Sequence, residues 1–95
     1  MNLRDAARGQ DCQVRLSCCN FNPETTVLAH YRLSGLNGMG MKPPDLIGSW
    51  ACSACHDAID RRAYLDMDKD FVRLAHAEGC FRTIAALISQ KKIKW

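Results

Sequence analysis

Cys52-Ser53-Ala54-Cys55 sets two thiols at the knuckle spacing that turns both sulfurs toward one tetrahedral ion. A closed site needs a second pair, and Cys12 with Cys19 (or the adjacent Cys18) is the upstream candidate. Zinc held by four cysteines is the simplest closure. In zinc-finger peptides such a site contributes about 10–16 kcal/mol of apparent binding energy, which is also folding energy. Cys80 lies in a helical stretch and reads as a small buried hydrophobe. Cys52 and Cys55 could instead cycle as a redox pair, but such motifs follow a strand within a βαβ pattern, and the chain has no second βαβ unit.

A second group of residues suits phosphate chemistry. In the run Val27-Leu28-Ala29-His30-Tyr31-Arg32-Leu33, a period of two puts His30 and Arg32 on one face and Val27, Ala29, Tyr31 and Leu33 on the other. Arg32 can grip phosphate oxygens with two parallel hydrogen bonds while the neighbouring imidazole accepts a proton. A solvated polar face is the plainer reading of the same pattern. His56 directly follows the knuckle, and Asp60 lies one helical turn later. That pair can share a divalent ion, or the carboxylate can orient the imidazole. Asp60 could equally be a surface partner for Arg61 or Arg62.

These residues need a scaffold, and the chain is short. Its 95 residues leave room for one domain, over residues 1–95. Hydrophobic residues make up 47% and charged ones 24%, a globular balance with no apolar run long enough to cross a membrane. The start, MNLRDAARGQ, lacks the apolar core of a secretory signal, which points to the cytoplasm, where thiols stay reduced and six cysteines favour metal over disulfides. A net charge of +3 permits nucleic-acid binding without demanding it.

The pattern predicts a frayed helical start ending at Gly9, a strand over 12–16 and a second strand over 26–33. A loop rich in glycine and proline follows over 34–48, overlapping a short returning strand at 47–51. A helix is expected from the knuckle to about residue 63. A last helix should span about 69–90 and bury Phe71, Leu74, Ala75, Phe81, Ala85 and Ile88, with Gly79 marking a bend or close packing. The basic tail, 91–95, should be loose.

A cysteine pair, a histidine closing a strand, a glycine-containing loop, and Cys-x-x-Cys-His opening a helix together resemble the zinc-bearing HNH (His-Me finger, ββα-metal) endonucleases, over about residues 12–63. The longer run of Cys12-Gln13-Val14-Arg15, Asn22-Pro23-Glu24-Thr25, Leu28-Ala29-His30, Lys42-Pro43-Pro44-Asp45-Leu46-Ile47 and Ala51-Cys52-Ser53-Ala54-Cys55-His56-Asp57 closely resembles the YbcO family of small phage and prophage nucleases. The resemblance implies an α+β fold: a small zinc-bearing ββα-metal core with an additional C-terminal helix. It implies Cys19 rather than Cys18 as the zinc ligand, His30 as general base, and Asp45 as its orienting partner or a group near the metal. It implies His56 as ligand of a catalytic Mg²⁺ or Mn²⁺, with Asp60 as a further ligand. Two departures stand out: Ala29 occupies a position where many HNH enzymes carry a ligand, and Asp45 replaces the motif's middle asparagine.

The reading that follows is metal-assisted hydrolysis of DNA, with Arg32 adding electrostatic stabilisation and Lys42, Arg61 and Arg62 contacting the backbone. The basic tail is a further candidate for backbone contact. The rival is a non-catalytic zinc module that binds nucleic acid or a protein partner.

Overall fold

Polar side chains start each helix. In the computed structural model, which describes residues 2–32 and 44–93, the Asn2 carboxamide accepts the Arg4 N–H at 2.9 Å and opens α1, Leu3–Ala6. Cys52 opens α2, Ser53–Ile59, its sulfur accepting the Cys55 N–H at 3.4 Å. Asp68 opens α3, Lys69–Ser89, by accepting the Phe71 N–H at 2.9 Å. Each cap satisfies a donor that the first helical turn leaves unpaired. Two short strands complete the described residues as a small α+β structure: β1, Val27–His30, and β2, Gly48–Ala51.

The strands pair antiparallel, with Val27 opposite Ala51, Leu28 opposite Trp50, Ala29 opposite Ser49 and His30 opposite Gly48. The expected strand over 26–33 is therefore shorter, although the Tyr31 N–H still reaches the Ile47 carbonyl at 2.9 Å. Glycine at 48 allows a close approach: a Cβ there would stand 2.9 Å from Leu28 Cδ1 and 3.1 Å from the Ala29 carbonyl oxygen. Most of the glycine- and proline-containing loop, including Lys42, lies outside the described residues.

The segment 12–16 is not a strand. Its alternation reads burial correctly, since Val14 and Leu16 are buried and Arg15 is exposed, but Arg15 takes a left-handed backbone at φ 59° that breaks an extended run. The segment makes one backbone bond to β2, from the Gln13 N–H to the Trp50 carbonyl at 2.7 Å, then curls toward Cys19. Burial alternates in any extended chain laid on a core; ladder pairing needs a partner edge as well. α2 likewise ends before residue 63. Arg61 and Tyr64 take left-handed backbones, and the Arg61 guanidinium bonds the Leu65 and Met67 carbonyls at 3.2 and 3.3 Å, shaping the turn into α3.

α3 occupies the expected residues but turns a different face inward. Phe71, Leu74 and Phe81 are 59%, 58% and 72% exposed, while Val72, His76, Gly79, Cys80, Thr83 and Leu87 are buried. Ala85 is exposed too; of the expected stripe, Ala75 and Ile88 are half-buried. Hydrogen bonds and close approach decide this orientation. Thr83 Oγ1 accepts the Trp50 N–H at 2.9 Å and donates to the Gly79 carbonyl at 2.8 Å. Gly79 marks close packing, because a Cβ there would meet Val14 at 3.1 Å and the Gln13 carbonyl at 3.2 Å. Arg82 donates to that same carbonyl at 2.5 Å.

Two small cores result. One gathers Val14, Leu16, Ala29, Ala51, Ala58 and Val72 around the cysteines; the other packs Ala7 and Leu87 on the buried Trp50. The tail is not loose as far as Ile93, which packs on the second core, and the Lys92 ammonium lies 6.0 Å from the centre of the Trp50 ring. No helix among the described residues is long and apolar enough to cross a membrane.

Polar contacts fixing the α3 face should show in stability. Thr83→Val leaves the buried Trp50 N–H unpaired and should lower unfolding free energy by about 1–3 kcal/mol. Phe81→Ser, at an exposed site, should change it by less than about 0.5 kcal/mol. Urea denaturation followed by tryptophan fluorescence measures both, and the reverse ranking would refute this account of α3.

Candidate functional site

The segment from Cys12 to Cys19 and the start of α2 meet at sulfur. Single Sγ atoms of Cys12, Cys19, Cys52 and Cys55 all lie within 4.8 Å of one another, an arrangement that could hold a metal ion. The Cys19 and Cys52 sulfurs are 3.7 Å apart, against about 3.8 Å between thiolates bound tetrahedrally at the usual zinc–sulfur distance of about 2.3 Å. Cys18 is not one of the four: its sulfur lies 3.8 Å from the Ala54 carbonyl, at the edge of the cluster beside Cys55. Cys80 is buried apart from the quartet. A redox pair would use two sulfurs; here four converge.

Their protonation explains what such a cluster needs. The Cys55 thiol hydrogen-bonds Cys12 and, with backbone N–H groups, pulls Cys12 down to about 4 despite burial. Sharing that proton with Cys12, together with burial, pushes Cys55 far up. Burial lifts Cys19 to about 11. One thiolate is thus accommodated and further ones are opposed by desolvation and like charge; a dication reverses that balance by replacing protons.

On β1, His30 Nε2 lies 2.7 Å from Asp45 Oδ1. The sequence places these residues apart, and the turn before β2 brings the carboxylate back, the Ile47 N–H bonding the Pro44 carbonyl at 2.9 Å. Asp45 also faces Arg4 of α1, whose Nε is 3.5 Å from the same oxygen. The His30 hydrogen bond, and then the Arg4 charge, hold the Asp45 carboxyl below its usual range. Arg4 was not among the sequence candidates, since nothing local connects it to a residue 41 positions away.

His56 and Asp60 meet as their helical spacing predicts, with Nε2 3.2 Å from Oδ2. Arg62 reaches that same oxygen at 2.9 Å and Asp57 at 3.5 Å. Both Arg61 and Arg62 therefore already have partners within the fold. A cavity of about 360 Å³ opens between β1, the end of α2 and α3, lined by His30, Arg32, Asp60, Arg73 and His76 among others. The structure thus gathers His30, Arg32 and Asp60 about one space. His56 touches Asp60 from outside the cavity lining, and Asp45 lies behind His30.

Arg73 and His76 were missed from sequence. The Arg73 guanidinium sits 4.8 Å from the Tyr31 ring centre and donates to the Arg32 carbonyl at 3.3 Å. His76 is buried against β1, and burial pushes its imidazole below the ordinary value. Its spacing from Val72, Cys80 and Thr83 was the available signal, but the stripe of large apolar side chains at 71, 74 and 81 obscured it.

Fold and site define a small α+β protein with a four-cysteine cluster able to hold metal, beside a cavity of histidines and arginines. The model of the family described as "Putative nuclease YbcO" matches residues 1–92, and the chain belongs to that family. It is 53% identical over 94 residues to "Putative nuclease YbcO" of Escherichia coli K12, spanning 98% of this chain and 97% of that protein, and equally so to the phage 82 protein of the same name. A solved structure of a "putative bacteriophage protein" from E. coli K-12 superposes with a TM-score of 0.80 at 47% identity, covering 95% of this chain and all of that one.

Protons and metal compete for the same sulfurs, and Cys19 and Cys55 hold theirs tightly, so metal affinity should rise with pH and fall on acidification. Zinc content read by mass spectrometry is expected to be one ion per chain in wild type, Cys18→Ala and Cys80→Ser, and to be lost in Cys19→Ala and Cys55→Ser. Unchanged zinc in Cys55→Ser would remove that residue from the site.

Proposed function

We propose that this protein is a metal-dependent endonuclease of the HNH (ββα-metal) type, hydrolysing phosphodiester bonds in DNA. The observation that carries the reading is the 2.7 Å His30–Asp45 pair beside a cavity that Arg32 and Asp60 also line. The relatives' names, a phage protein among them, support a role in phage or prophage DNA metabolism inside the bacterial host. Residues 1–95 act as one unit, in which Cys12, Cys19, Cys52 and Cys55 hold structural zinc.

His30 is the general base. Asp45 holds the imidazole in one orientation from behind, so that its free nitrogen accepts a proton from the water that attacks phosphorus in line. Arg32 places its guanidinium against the non-bridging oxygens, where negative charge develops. His56 and Asp60 fit a divalent cation: their facing atoms, 3.2 Å apart, are near the separation of about 3 Å between adjacent donors on a six-coordinate ion with bonds of about 2.1 Å. When bound, Mg²⁺ or Mn²⁺ supplies Lewis-acid stabilisation of the phosphoryl and leaving oxygens. Ala29 offers no ligand, so His56 and Asp60 are the side chains that would hold the ion, and its remaining positions would be left to water and substrate, as is usual for Mg²⁺. Lys42 is a backbone contact; Arg61 and Arg62 become contacts by exchanging partners at the turn.

The rival, a non-catalytic zinc module, draws on Arg62, which already neutralises Asp60 at 2.9 Å. Nicking of supercoiled plasmid with Mg²⁺, Mn²⁺ and Zn²⁺ in parallel separates the two. His30→Ala should lose about 10²–10⁴-fold in rate while keeping zinc and DNA affinity. His56→Ala should also lose cleavage, partly restored by excess Mn²⁺, and the double mutant should be little worse than His30→Ala alone. DNA binding without cleavage under any ion would favour the rival.

A further inference from the structure

The chemistry above leaves one histidine unused. His76 of α3 is 5% exposed, and its Nε2 lies 3.0 Å from the Ala29 carbonyl oxygen. A carbonyl only accepts, so Nε2 carries a proton, which in the neutral ring is the Nε2–H tautomer. Burial favours the same neutral form.

Ala29 immediately precedes His30, and α3 grips the chain on both sides of His30, at Ala29 of β1 and at Tyr31 and Arg32 just beyond it. The His76 ring packs on Tyr31 with centres 5.0 Å apart, while Arg73 lies over Tyr31 and bonds the Arg32 carbonyl. β1 is only four residues long and has β2 as its one strand partner among the described residues, so its position depends on what α3 holds. An apolar side chain of similar size at 76 would serve packing alone. A buried imidazole aimed at one carbonyl sets a position.

We propose that His76 is a positioning residue for His30: by donating to the Ala29 carbonyl it fixes the backbone from which the His30 imidazole meets Asp45. The role rests on the nuclease reading of the cavity that both histidines line. Removing the donor lets Ala29 shift and swings His30 off Asp45. Misplacement of a catalytic group by about 1 Å costs on the order of 10²-fold in rate.

The test uses the full zinc-loaded chain as wild type, His76→Leu and His76→Gln, the last keeping a side-chain donor. Imidazole nitrogen NMR should show wild-type His76 as the Nε2–H tautomer. The His30 signals should move toward those of a free imidazole in His76→Leu and stay near wild type in His76→Gln. In plasmid nicking, kcat should fall about 10–100-fold in His76→Leu with KM for DNA nearly unchanged, and His76→Gln should recover most of it. Unmoved His30 signals in folded His76→Leu would overturn the proposal. So would an Nδ1–H tautomer in the wild type, a measurement that stands even if His76→Leu fails to fold. An inactive wild type would instead sink the nuclease reading, while the NMR still judges the coupling of His76 to His30.

Discussion

Cys19 and Cys52, 33 residues apart in the chain, approach within 3.7 Å, and Cys12 and Cys55 close around them. A short chain whose described residues include two strands of four residues has little sheet there to hold its parts together. The sulfur cluster does that work at one point. It bends the segment after Cys12 away from strand geometry, begins α2 through the Cys52 cap, and thereby sets the direction of His56, the residue following Cys55. The unfavourable charge of several thiolates in a buried space is what a cation bound there would offset.

α3 supplies the second constraint, and its nature is polar. Thr83 bonds the backbone of β2, His76 bonds that of β1, and Arg82 bonds the curled segment before Cys19. Each of these interactions has one allowed direction and loses most of its value when rotated away. Burying Phe71 and Phe81 would remove more apolar area, yet it would carry these groups off their partners and leave a buried backbone N–H and two carbonyls without them. The outcome is a helix that exposes large apolar side chains and buries small or polar ones.

Electrostatics at the cavity follows from sharing. Asp45 answers both His30 and Arg4, and Asp60 answers both His56 and Arg62. In each case one carboxylate faces an imidazole and a guanidinium, so neither negative charge stands isolated.

Much of the candidate site's geometry was legible in the residues because it is local. The knuckle at Cys52 and Cys55, the His56–Asp60 pair and the shared face of His30 and Arg32 depend on spacings of two to four residues, which backbone geometry converts directly into proximity. The returning strand and the extent of α3 were readable for the same reason. Which of two adjacent cysteines turns toward the cluster depended on the path of the chain between Leu16 and Cys19, which close in a turn through the Cys19 N–H and the Leu16 carbonyl. The strand expected over 12–16 failed because alternating burial does not supply a pairing edge. The face of α3, the approach of Arg4 to Asp45 and the placement of His76 behind His30 were decided only in three dimensions. Each is a directional bond between groups far apart in the chain, and no periodicity of hydrophobic residues encodes where a distant carbonyl or carboxylate will lie.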